Sequence, residues 1–170
     1  MTGLFYVASA VAVLATLLAI TSVNAVHALL YFVVSLFSAA FLFLLLGAPF
    51  VAVLEVVIYA GAIIVLFLFA VMLLNLGQQG VDEERRWLRP HMWIGPTILG
   101  IVLAAELVWV FASGGTALTG ATRVEPKEVG VALFGPYLLG VEIASMLLLA
   151  GLVGAYHLGR KDMAERGEGR

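Results

Sequence analysis

The sequence has no cysteine and little charge. Without cysteine there is no disulfide, no thiolate nucleophile, no cysteine-ligated iron–sulfur cluster and no covalently attached c-type haem. Charged residues make up 12% of the 170 residues, against roughly 25% in an ordinary soluble domain. The formal net charge of −2 lacks the basic excess that nucleic-acid binding needs. Apolar residues fill the space instead, at 63% before the 18 glycines are added. Soluble domains run at roughly 45–50% with glycine included. A water-soluble monomer of this length has too little interior to hide so much apolar surface. A disordered chain has the opposite composition. The class expected is an all-α integral membrane protein.

The charges that exist are gathered. Six lie in 82–89, four in 123–128 and seven in 160–170. The remaining three are Glu55, Glu106 and Glu142, each inside an apolar run. A bilayer core about 30 Å thick needs about 20 helical residues. Five stretches qualify: 4–23, 25–46, 50–76, 92–112 and 133–158. They are continuous rather than alternating at period two, which favours helices over barrel strands. Proline in Gly47-Ala48-Pro49 is expected to stop the second run. Asn75-Leu76-Gly77 is expected to cap the third. A single membrane domain is expected, with a loop at 77–91 and a tail at 159–170. No positive residue precedes Leu4, and the first run is too long for a signal core, so a retained first helix is expected.

Five spans put the termini on opposite sides. The 82–89 loop and the tail share one side and hold seven basic residues, whereas Arg123 and Lys127 are two on the other. The positive-inside rule then puts loop and tail in the cytoplasm and the N-terminus outside. An odd span count argues against a simple inverted-repeat transporter.

An ionisable group in lipid costs about 2.5–3.5 kcal/mol on the insertion scale. On this topology Glu55, Glu106 and Glu142 lie roughly 8, 9 and 13 Å from the outer helix ends, at about 1.5 Å per residue. No Lys or Arg lies within any run. Either these carboxyls are neutral or another subunit supplies the partner. They read as a proton relay or an inter-subunit contact, or, more plainly, as acids hydrogen-bonded near helix ends.

The third run is the unusual one. At about 40 Å as a straight helix it is longer than the bilayer core requires, which tilt or a local irregularity would absorb. Glu55 and Tyr59 are four apart and share one face of an α-helix, which Ala62 and Ile63 continue. Ala60-Gly61-Ala62 follows the tyrosine. Such small residues admit a close neighbour, and glycine eases departure from ideal geometry. Taken alone, this notch reads equally as a packing feature.

The run from Glu55 to Asn75 resembles the signature of subunit J of bacterial NADH–quinone oxidoreductase, whose mitochondrial counterpart is NADH dehydrogenase subunit 6 of respiratory complex I. The resemblance rests on Val57-Ile58-Tyr59-Ala60-Gly61-Ala62-Ile63-Ile64-Val65-Leu66-Phe67-Leu68-Phe69 and Met72-Leu73-Leu74-Asn75. Beyond about residue 76 it rests mainly on the five-span plan. It implies a non-redox subunit of the H+-translocating enzyme, in the membrane arm of a bacterial inner-membrane complex. The complex would use NADH, FMN, iron–sulfur clusters and quinone, none of them bound by this chain. Its partners would be other membrane-arm subunits, including a small glutamate-bearing subunit and the quinone-site subunit. The resemblance also implies a π-bulge around Tyr59 and switching between π and α forms that gates a water path. Tyr59 would be the gate, Gly61 would give backbone freedom and Val65 would belong to a hydrophobic plug, with Glu55 at the outer end. No family role is implied for Glu106 or Glu142. The alternative is a stand-alone or antiporter-type ion-transport subunit using the intramembrane glutamates. A packing protein without an ionic role is the third possibility.

His27, His91 and His157 all fall at cytoplasmic helix ends and read as interfacial polar groups, too scattered for a metal or haem site. Gly140/Ala144, Ala150/Gly154, Gly151/Ala155, Ala8/Ala12 and Ala15/Ala19 are small pairs four apart that allow close packing. The 82–89 segment reads as a solvated connection, with Trp87 able to anchor at the headgroups.

Overall fold

A computed structural model describes residues 2–74, 90–113 and 123–167. Among the described residues the chain is all helix and turn, with five helices long and apolar enough to cross a membrane. The 77–89 part of the expected loop, the Asn75-Leu76-Gly77 cap and Trp87 lie outside the described residues. Contacts divide the chain into two compact units, Met1–Val124 and Glu125–Arg170.

In the first unit, α1 (Thr2–Thr21) and α2 (Ala25–Leu45) form a tight antiparallel hairpin. The contact is built on small residues. Ala8 and Ala15 are fully buried, and the Ser38 hydroxyl donates to the Ala8 carbonyl at 2.6 Å. Thr16 and Ser35 share a hydroxyl–hydroxyl bond of 2.7 Å between the two helices. Ser35 Oγ also reaches the Ala12 carbonyl at 3.3 Å. Where no water competes, small side chains let backbones approach and hydroxyls join helices. Asn24 caps α2 by accepting from the His27 N–H at 3.1 Å.

The stop after α2 differs from expectation in its cause. Gly47 has φ 83°, the left-handed conformation that glycine adopts without steric cost. Its N–H bonds to Leu44 O and that of Ala48 to Phe43 O, the paired geometry of a Schellman motif. Pro49 opens the next helix, where its missing N–H is no loss.

The third span is wound in three pieces: α3 (Pro49–Leu54), a π-helix (Glu55–Ile63) and α4 (Ile64–Leu74). It packs on α2. The fourth span, α5 (Pro90–Ala112), packs against α1 and α2. Val110 is fully buried there among Ala8, Phe41 and Leu45.

In the second unit, α6 (Pro126–Leu133) is closed at its start by a reciprocal capping box between Glu125 and Glu128. The last span, α7 (Leu138–Gly167), begins five residues later than expected because the 133–137 stretch is a helix end and a turn. Gly135 sits so close to Val131 O that a Cβ there would come within 2.7 Å. Pro136 cannot donate to the ladder. The helix also continues through most of the expected tail, to Gly167.

Candidate functional site: the irregular third helix and its surroundings

The π winding follows from local chemistry. Its sequence is Glu55-Val56-Val57-Ile58-Tyr59-Ala60-Gly61-Ala62-Ile63. At its exit the Ile64 N–H points to Tyr59 O and Gly61 O, five and three residues back. Bonds spanning five residues put more than 3.6 residues in each turn. Residues five apart are therefore the ones joined along the backbone. The glycine falls where room is short: a Cβ on Gly61 would lie 3.2 Å from Val56 O, five residues earlier. Most π segments are single-turn bulges, frequently at functional sites.

Glu55 opens the π segment and Tyr59 stands four residues further on. No hydrogen bond or ion pair joins Glu55 to Tyr59 among the described residues. Glu55 and Gly61 are half-buried. Tyr59 is 49% and Val65 62% exposed, whereas Ile64 between the π exit and Val65 is only 7% exposed. The Tyr59 hydroxyl and the Val65 side chain thus lie on surface that this chain leaves open to lipid or another subunit.

The other carboxyls separate sharply. Glu106 is 8% exposed, and neither carboxylate oxygen has a hydrogen-bond partner among the described residues. It shares the buried stripe of α5 with Leu103 and Val110. Glu142 is exposed on α7, and its carbonyl accepts from the Ser145 hydroxyl at 2.8 Å.

Sequence reasoning missed the surroundings of His27. Its ring lies 4.8 Å from that of Tyr31, tilted by 53°, and Nε2 is buried without a partner among the described residues. Tyr31 is buried, its hydroxyl wedged against Gly95 of α5. His27 is thus packed into the bundle end rather than serving only as an interfacial group. The 27, 31, 35, 38 spacing of polar residues in α2 was the available signal. His157 is exposed, and the His91 side chain lies outside the described residues. Among the described residues, no three His, Asp or Glu side chains converge as metal ligands would.

Residues 15–158 match the family described as NADH-ubiquinone/plastoquinone oxidoreductase chain 6. Among relatives, the NADH-quinone oxidoreductase subunit J of Pseudomonas aeruginosa is 57% identical over 159 residues, covering 93% of this chain and 96% of that protein. The subunit J of Escherichia coli is 49% identical over 160 residues, covering 94% and 87%. That of Rhodobacter capsulatus is 36% identical over 159 residues, covering 89% and 77%. With a match across most of its length and relatives aligned nearly end to end, this chain belongs to the chain 6, or subunit J, family of the NADH–quinone oxidoreductases.

Proposed function

We propose that this chain supplies a gated stretch of proton path in the membrane arm of a bacterial NADH–quinone oxidoreductase. It is a multi-pass subunit of that enzyme without redox chemistry of its own. NADH, FMN, iron–sulfur clusters and quinone are handled by other subunits. The relatives' shared name supports membership in the complex. One observation supports the gating role. The stretch that carries the family resemblance is the only π-wound segment among the described residues, and it lies within a membrane span.

Relaxing a π turn to α turns the following segment by about 100° for each extra residue absorbed. Tyr59 and Val65 lie on either side of the π exit. Rotation there carries the Val65 side chain and its neighbours past an adjoining subunit. In one state they seal a water path and in the other they open it. Gly61 gives the backbone room for both, and the Tyr59 hydroxyl is a polar group of the π segment able to hold a water. Glu55 stands at the outer end of the π segment. The path would link the quinone-site subunit to a small glutamate-bearing subunit, and Glu142 has no assigned part in it. The N-terminus faces outward and α7 ends in the cytoplasm, on the strength of the seven-to-two bias of basic residues.

Proton pumping and NADH oxidation measured together in proteoliposomes test this. Gly61→Leu should lower protons moved per NADH oxidised well beyond any loss of assembled complex. A fully assembled Gly61→Leu complex that pumps normally would sink the gating role. Tyr59→Phe isolates the hydroxyl: a reduced pumping ratio assigns it the water, and an unchanged one moves the role to ring and backbone.

A further inference from the structure

Buried polar groups normally have partners, and each exception calls for an explanation. Glu106 is such an exception, in a bundle whose other buried and half-buried polar groups form a pattern. Along α2, His27, Tyr31, Ser35 and Ser38 follow one another at spacings of four, four and three, so they line one face. Ser35 is tied to Thr16 of α1, and Ser38 to the α1 backbone at Ala8. The eleven steps from His27 to Ser38 rise about 16 Å at about 1.5 Å each.

Glu106 can be placed against this row from two fixed points. Tyr31 abuts Gly95 near the start of α5, and Phe41 and Leu45 meet Val110 near its end. The two helices therefore run in the same direction. One turn before Val110, Glu106 lies at the level of residues 37–41 of α2, which is the turn of Ser38. The elements packed around it carry no counter-charge: α1 has no charged residue, and α2 has only His27, at the far end. A buried carboxyl without a hydrogen-bond partner among the described residues, at the level of a buried hydroxyl, is where an internal water finds its two to four bonds.

We propose that Glu106 is a proton-binding site, joined through internal water to a polar column of half-buried His27, Ser35 and Thr16 and buried Tyr31 and Ser38. None of these residues lies on the third span, so the column is separate from the π segment. Transfer along it needs no bond change except at hydrogen. A water or hydroxyl gives a proton to a Glu106 oxygen and is refilled by the next group towards His27. Return runs the same steps in reverse.

Infrared spectra of native membranes test this, with the chain in whatever assembly it occupies. Wild-type and Glu106→Gln membranes are compared in H2O and after transfer to D2O. The expected difference is a carboxylic-acid C=O band that is lost in the variant and shifts on deuteration. A Ser35→Ala/Ser38→Ala double variant should keep the band but slow its shift. If Glu106→Gln is poorly inserted, Glu106→Asp serves instead, with the band displaced rather than lost. No difference band means a carboxylate that takes no proton. A band that never shifts means a sealed acid, and an unslowed shift in the double variant means another route. Each of these results overturns the proposal. Because the readout is not pumping, it stands or falls independently of the gating role.

Discussion

Replacing Gly61 with alanine should move the third span from its π winding towards α. The added Cβ would sit 3.2 Å from Val56 O, so the carbonyl must yield by a few tenths of an ångström. Overpacking of this kind costs about 1–3 kcal/mol, and the small relief needed puts this case near the lower end. At about 1 kcal/mol, with each 1.4 kcal/mol a factor of ten, the α form gains about fivefold over the π form. The chain has no cysteine, so one introduced thiol reports helix phase without background from this subunit. Ile64 is the informative position. It is 7% exposed, while Ile63 and Val65 on either side are 41% and 62% exposed. Rotation by one residue in either direction therefore uncovers position 64. In native membranes, Ile64→Cys should be labelled several-fold faster with Gly61→Ala than without it. Equal labelling rates would refute the claim that Gly61 holds the balance between the two windings.

Two further outcomes follow from contacts elsewhere. Gly95→Ala drives a Cβ into the Tyr31 hydroxyl and should destabilise the chain by about 1–3 kcal/mol. Tyr31→Phe removes that hydroxyl, so the double variant should recover much of the loss in thermal inactivation of the complex, a non-additivity expected of residues in contact. Gly47→Ala forces a side chain into the left-handed region at φ 83° and should cost about 1–2 kcal/mol. A denaturation midpoint unchanged from wild type would refute that cap.

Five membrane helices were legible because lipid allows few alternatives. A continuous apolar run of about 20 residues must satisfy its own backbone, and the helix does so. The irregularity of the third span was legible through family resemblance, since Ala60-Gly61-Ala62 alone reads equally as a packing notch. The length of the π segment was not legible, because the turn-by-turn choice between four- and five-residue bonds leaves no hydropathy pattern. The start of α7 was obscured because Phe134-Gly135-Pro136-Tyr137 is apolar enough to read as part of the span, although glycine and proline break it. Glu55, Glu106 and Glu142 looked alike in sequence. Only packing separates them: Glu106 is buried on the stripe of α5 that carries Leu103 and Val110, Glu55 is half-covered on the third span, and Glu142 is exposed on α7.

The most direct test of the central claim is a native gel of membranes solubilised in mild detergent, stained for NADH oxidation and probed for this chain. Co-migration with a large, active complex is the expected result, and it makes Tyr59 and Gly61 meaningful targets within that enzyme. Migration as a small separate species, away from the NADH-oxidising band, would contradict it.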